Sequence, residues 1–147
     1  MSVIRITKEF NFEMAHALMG YDGPCKNIHG HSYHLEVTVK GLVKNETNDS
    51  DEGMVVDFGN IKRVVKTEIV DLYDHALVLN KKMGLDLPQL SFMQKLITVP
   101  FQPTCENLLD HFAKLIQAKL PKKVTLIRLY LRETPNSYAE WFLEDNN

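Results

Sequence analysis

Residues 25–40 read Cys-Lys-Asn-Ile-His-Gly-His-Ser-Tyr-His-Leu-Glu-Val-Thr-Val-Lys, and the second half of this stretch decides how the first is read. From Tyr33 to Lys40 apolar and polar residues alternate, the period of a strand with one buried face. Tyr33, Leu35, Val37 and Val39 occupy the odd positions, and His29 and His31 share their parity. Side chains two apart on an extended backbone project to the same side, so both imidazoles can reach one ion, with Gly30 keeping the space between them clear. His34 falls with Glu36, Thr38 and Lys40 on the opposite, solvated face and is not counted as a ligand. Cys25 stands four residues before His29 in a Gly- and Pro-bearing loop over 17–28. Positive charge beside a thiol lowers its pKa and makes thiolate available as base or nucleophile, which makes Cys25 a candidate for chemistry next to a metal.

Two imidazoles hold a catalytic zinc incompletely, because such sites use three protein ligands and keep a fourth position for water or substrate. The chain offers two sources for the third. Residues 3–12 carry Ile4, Ile6, Phe10 and Phe12 at even positions, a strand signature, and His16 lies at the end of this opening strand, which could pair beside the one beginning near His31. Asp74-His75 is the other source, and it also reads as a dyad in which the carboxylate sets the charge of the imidazole for proton relay. Glu133 ends the strand Val124 to Glu133 with the parity of Ile127, Leu129 and Leu131. An inward carboxylate requires a cationic or multiply hydrogen-bonding partner; a carboxylate at the strand's end beside the turn is simply solvated. Cys105 lies in the first turn of a helix, where the dipole favours thiolate, and its other reading is simply a small helix residue.

Outward from these residues, the strand runs to about Leu42 and into a polar, turn-rich segment, 44–53, followed by a second short strand, Met54 to Asp57, forming a hairpin with a long loop. Asp57 caps a helix carrying Ile61, Val64, Val65, Ile69 and Leu72 at helical spacing, and Ala76 to Asn80 follows Asp74-His75. Residues 81–96 read as an irregular loop whose Leu87 to Met93 part packs locally. Thr104 caps a second amphipathic helix with Leu108, Leu109, Phe112, Leu115, Ile116 and Leu120 inward, ended by Pro121, and Glu106 in its first turn suits the dipole. The strands at 124–133 and 138–143 close the chain around the turn at 134–137. The expectation is a single α+β domain over 1–147, an antiparallel sheet with two helices on one face and a tendency to associate with copies of itself through its uncovered edges.

With 17 basic and 19 acidic residues and no cationic run, the chain carries no footprint for nucleic acid or a membrane surface. No signal peptide or bilayer-spanning run is present, and two cysteines are too few for a disulfide framework, so the expected setting is a reducing cytoplasm with both thiols free.

Cys25-x-x-x-His29-Gly-His31 with His16 upstream, then Asp74-His75, then Pro103-Thr104-x-Glu106-Asn107, then Arg132-Glu133-Thr134: this series resembles the 6-pyruvoyltetrahydropterin synthase and 6-carboxytetrahydropterin synthase family over residues 4–142. The resemblance implies the tunnelling fold, a four-stranded antiparallel sheet with two helices on one face, trimers that close a barrel, and hexamers with active sites between subunits. It implies Zn2+ on His16, His29 and His31, which selects His16 over His75 as the third ligand. Glu133 would anchor the guanidine-like edge of a pterin, with Thr104, Cys105 and Glu106 as further contacts. The implied substrate is 7,8-dihydroneopterin triphosphate, with Cys25 taking a proton from its side chain, Asp74 and His75 shuttling protons, and triphosphate leaving. The three residues between Cys25 and His29 look like the shorter spacing of the 6-carboxytetrahydropterin synthases, which also release acetaldehyde on the route to queuosine-type bases. Pyruvoyl synthases, which eliminate triphosphate and rearrange the side chain, are the alternative, and a non-catalytic zinc- or pterin-binding protein is the alternative of another class. Residues 44–53 and 81–100 read as additions to a compact enzyme.

Overall fold

A computed structural model describes residues 2–84 and 90–147. Its centre is the pair β1 (Val3–His16) and β2 (His29–Leu42), antiparallel over their whole length from Val3 opposite Leu42 to His16 opposite His29. Phe10, Phe12 and Met14 of β1 and Tyr33, Leu35, Val37 and Val39 of β2 are buried on one side, as the alternation requires. β5 (Val124–Thr134) pairs antiparallel with β2, and β6 (Ser137–Phe142) with β5. These four strands are the antiparallel sheet expected from the sequence.

The sheet nevertheless has six strands, in the order β4-β3-β1-β2-β5-β6. β3 (Ala76–Asn80) lies parallel to β1, and β4 (Leu96–Val99) parallel to β3. Parallel strands covered on both sides lose the polar alternation that marks a strand, and Ala-Leu-Val-Leu shows none. The expected strand at Met54 to Asp57 is absent. Two backbone bonds, Lys44 N to Met54 O at 2.9 Å and Gly53 N to Lys44 O at 2.7 Å, close that loop, and Val55 and Val56 are buried without pairing further.

Asp57 caps α1 (Phe58–Val65) by accepting from Gly59 N at 2.6 Å. α1 continues through a π-helical turn, Lys66–Val70, into α2 (Asp71–Tyr73) as one rod. Its buried residues are Ile61, Val65, Ile69 and Tyr73, each four apart. In a regular α-helix that spacing turns the stripe by about 40° per step. The wider π turn takes up part of the drift and keeps Tyr73 on the core. Leu72, read as inward, is 51 % exposed for the same reason. α3 (Cys105–Gln117), capped by Thr104, buries Leu108, Leu109, Phe112 and Ile116 in the same core as the rod and the inner faces of β1 and β2. Both helical units therefore cover one face of the sheet. The other face is polar, with Glu36, Arg128 and Glu140 joined in ion pairs.

Two further expectations change. In β5 the register shifts so that Thr38 faces Arg128 while Val39 faces Leu126, making Ile127 the extra residue; Leu126, not Ile127, joins Leu129 and Leu131 in the core. Of the segment expected to pack locally, Leu87 lies outside the described residues, while Leu90 and Phe92 are exposed, Phe92 by 81 %. No helix among the described residues is long and apolar enough to cross a membrane.

Candidate metal centre

The end of the β1–β2 pair carries the site. His16 stands opposite His29, and Met14 opposite His31, so all three imidazoles leave the core-facing side within one turn of pleat. His31 meets both other rings edge to face, with centroids 5.2 Å from His16 and 4.9 Å from His29, while His16 and His29 are tilted with centroids 4.6 Å apart. Glu133 reaches the same point from β5, its Oε1 2.9 Å from His31 Nε2 and 3.6 Å from His16 Nε2. One ligand atom from each of the four residues lies within 4.8 Å of all the others. His16 joins His29 and His31 in this cluster, and His75 lies outside it.

Hydrogen bonding decides what the cluster can do. His16 Nδ1–H donates to the Pro103 carbonyl at 2.7 Å, and His29 Nδ1–H donates to the Asn27 carbonyl at 2.7 Å. A carbonyl only accepts, so both rings carry their proton on Nδ1 and present a bare Nε2. Those two Nε2 atoms are 3.0 Å apart. Between two lone pairs this is repulsive unless a cation or an added proton lies between them. Burial disfavours the added proton: it holds the His16 imidazole below the ordinary histidine value, against the upward pull of the Pro103 carbonyl and Glu133, and does the same to His31. His31 Nε2, close as it is to Glu133, lacks hydrogen-bond geometry and is a buried polar atom without a partner, as is the Tyr33 hydroxyl beneath it. Converging imidazole nitrogens, oriented by backbone carbonyls and joined by a carboxylate, fit a divalent metal of the zinc type.

Asp74 and His75 follow α2 and do touch, with Asp74 Oδ2 3.0 Å from His75 Nδ1. His75 adopts φ 61°, a left-handed backbone costly for a residue with a side chain. It is tied there by β1: His75 N donates to Glu13 O at 2.6 Å, and Asp74 Oδ1 accepts from Glu13 N at 2.9 Å. The Glu13 amide, followed by His75, holds the Asp74 carboxyl below the usual carboxylate range. Lys95 Nζ donates to the Asp71 and Asp74 carbonyls at the end of the rod. The His75 side chain is 77 % exposed and shares with His31, Ser32, Glu13 and Lys95 an open cleft of about 570 Å³.

The remaining candidates stand apart. Cys25 lies half-buried in a short 3-10 turn, Pro24–Lys26, lines neither this cleft nor the smaller one at Glu133, and is outside the cluster of ligand atoms. Its loop is pinned by Leu18 N to Cys25 O at 3.0 Å and by Gln102, whose side-chain amide pairs with Met19 N and O. Thr104 Oγ1 accepts from Asn107 N at 3.3 Å, and Glu106 is exposed. Cys105 is buried with its thiol donating to Leu131 O at 3.3 Å, and burial, then Glu133 and Glu106, push that thiol up to about 12, against the thiolate expected from the dipole. A Cβ on Gly30 would meet nothing closer than Met14 O at 3.4 Å, an ordinary contact, so the glycine is not what keeps the histidines apart. Sequence reading missed the Pro103 and Asn27 carbonyls, which carry no residue-type signal. It also missed Glu13 and Lys95, the supports of Asp74-His75.

Residues 5–144 match the family model described as 6-pyruvoyl tetrahydropterin synthase. The 6-carboxy-5,6,7,8-tetrahydropterin synthase of Haemophilus influenzae is 35 % identical over 144 residues, covering 95 % of this chain and 99 % of the relative. The protein of the same name from Rickettsia felis is 34 % identical over 144 residues, covering 94 % and 99 %. The crystal structure of 6-pyruvoyl tetrahydropterin synthase from Plasmodium vivax superposes with a TM-score of 0.71 at 17 % identity, covering 96 % of this chain and 98 % of that one, which shows a shared fold.

Proposed function

The chain belongs to the 6-pyruvoyl tetrahydropterin synthase family, and from that premise we propose that it is a zinc-dependent 6-carboxy-5,6,7,8-tetrahydropterin synthase, a lyase that converts 7,8-dihydroneopterin triphosphate and water to 6-carboxytetrahydropterin, acetaldehyde and triphosphate. The names of its relatives at 34–35 % identity support this product over the pyruvoyl one. The observation that carries the chemistry is that His31 of the histidine cluster and His75 of the Asp74-His75 dyad line one open cleft.

His16, His29 and His31 would hold the Zn2+, which supplies Lewis-acid polarisation of a substrate side-chain oxygen. Glu133 binds the guanidine-like edge of the pterin through its carboxylate, with Thr104, Cys105 and Glu106 as further contacts. For Cys105 the buried, protonated thiol favours contact through its backbone. Cys25 as thiolate removes a proton from the substrate side-chain carbon. The Asp74-His75 pair moves protons at His75 Nε2, its Nδ1 being held by the Asp74 carboxylate. The solvent-facing ring suits such exchange.

Residues 1–147 then form one domain of the tunnelling fold, assembled as a homohexamer, a dimer of trimers with barrels closed by neighbouring sheets. Two observations support assembly: among the described residues no strand pairs beyond β4 or β6, and Cys25 lines neither cleft of its own chain, which suits a thiol supplied to a site between chains. We place the enzyme in the cytoplasm, on the route to queuosine-type bases. The test is the mass spectrum of products after the zinc-loaded protein is incubated with 7,8-dihydroneopterin triphosphate. The expected result is the carboxytetrahydropterin with acetaldehyde. A pyruvoyl product would move the chain to the other activity of the family, and intact substrate would contradict an enzyme and favour a pterin- or zinc-binding protein.

A further inference from the structure

Asp74 (φ −62°, ψ 127°) and His75 (φ 61°) have the backbone angles of the two central residues of a type II turn, whose second position favours glycine or asparagine. Turning over the peptide plane between them, by about 180°, would relieve the histidine. Asp74 would then take the helical angles of the rod that it follows, and His75 the β region open to any residue, as in a type I turn. These residue types thus favour the turned-over plane, and the fold holds the other one. Both ends of that plane are tied. The Asp74 carbonyl accepts from Lys95 Nζ, and the His75 amide donates to Glu13 O at 2.6 Å. Lys95 Nζ also donates to the Asp71 carbonyl at 2.9 Å, and the Lys95 carbonyl accepts from Leu77 N at 3.0 Å, so the ammonium is fixed against both the rod and β3.

We infer that Lys95 is a positioning residue for the Asp74-His75 dyad: its ammonium latches the Asp74–His75 peptide in the disfavoured orientation and so keeps the His75 ring at the cleft it shares with His31. The catalytic consequence rests on the function proposed above. A cation suits this place, because the last carbonyls of a helical rod lack partners within the helix and carry the negative end of its dipole. Glu13 ties the other end of the plane through main-chain atoms, whereas Lys95 does so through a side chain, which a substitution can remove. The latch acts on the geometry of the dyad and touches neither the metal cluster nor the groups expected to hold the pterin. A misplacement of about 1 Å is enough to cost about 10²-fold in rate.

The test compares Lys95→Met, which keeps the length of the side chain and removes its donor, with Lys95→Arg, which keeps donors for the carbonyls. Lys95 is exposed, so neither substitution disturbs the core. In a crystal structure of the zinc-loaded Lys95→Met protein, His75 is expected at negative φ with its amide released from Glu13 O. The kcat on 7,8-dihydroneopterin triphosphate is expected to fall about 10²-fold, with KM and zinc content unchanged, and Lys95→Arg is expected to restore most of it. A Lys95→Met structure that keeps His75 near its φ of 61° overturns the latch, as does a wild-type kcat. A loss carried by KM, or one that Lys95→Arg leaves unrepaired, overturns the positioning role. Lys95→Gln, uncharged and one bond shorter, takes the place of the methionine variant if that does not fold. Failure of the underlying reading looks different: the wild-type protein itself does not turn over, and the peptide orientation in the variant still confirms or overturns the latch.

Discussion

Two clusters of histidine and glutamate lie on opposite faces of the β1–β2 pair, the core-face one completed by Glu133 of β5, and they differ in how their ring nitrogens are used. On the core face stand His16, His29, His31 and Glu133; on the polar face stand Glu9, His34 and Glu36, whose ligand atoms also lie within 4.8 Å of one another. Residue types alone do not separate them. The use of the ring nitrogens does. His34 turns Nδ1 to Asn11 Oδ1 at 2.9 Å and Nε2 to Glu9 and Glu36 at 3.2 and 3.5 Å, so both ring nitrogens are engaged by neighbouring side chains. Glu36 is further occupied by Arg128 at 2.9 Å. On the core face the backbone carbonyls of Pro103 and Asn27 take the Nδ1 protons of His16 and His29, and the two Nε2 lone pairs are left converging on each other. A metal site is thus distinguished from an ion-pair network by what lies behind the imidazoles.

Breaking the core cluster should have the largest effect. His16→Ala removes a ligand that is 1 % exposed, and metal analysis of the purified variant is expected to fall from one ion per chain to none; a full complement would refute the ligand assignment. Next comes the thiol. Cys25→Ala should keep its metal and its pterin binding but lose turnover about 10²–10⁴-fold, the range for removing a proton-transfer group, and unchanged turnover would remove Cys25 from the chemistry. The smallest effect belongs to the polar face. His34→Ala should leave metal content and turnover unchanged and cost no more than about 1 kcal/mol in a denaturant titration, as expected for a solvent-facing ion pair; loss of metal there would make the two faces equivalent after all.

What the sequence made legible is what parity carries. The alternation after His31 placed His29 and His31 on the core face and excluded His34, and even positions in the opening strand brought His16 to the same place. Glu133 was readable as inward by the same logic even though the bulge at Ile127 displaced one of the residues used to argue it. Features without a side-chain signature escaped: the carbonyls that orient the histidines, the π turn that exchanges Leu72 for Tyr73, and the short parallel strands β3 and β4, whose apolar runs lack alternation. Of the two readings of Cys105, a thiolate favoured by the dipole or a small helix residue, the structure favours the second, because burial, with Glu133 nearby, outweighs the dipole.

The contrast between the two faces is tested most directly by zinc-edge X-ray absorption on the purified protein without added pterin. Expected is one zinc per chain surrounded only by nitrogen and oxygen at about 2.0–2.1 Å, with the multiple scattering of imidazole rings. A sulfur neighbour at about 2.3 Å would make Cys25 a ligand instead of a free thiol, and protein without bound metal would contradict the reading of the core-face histidines as a metal centre.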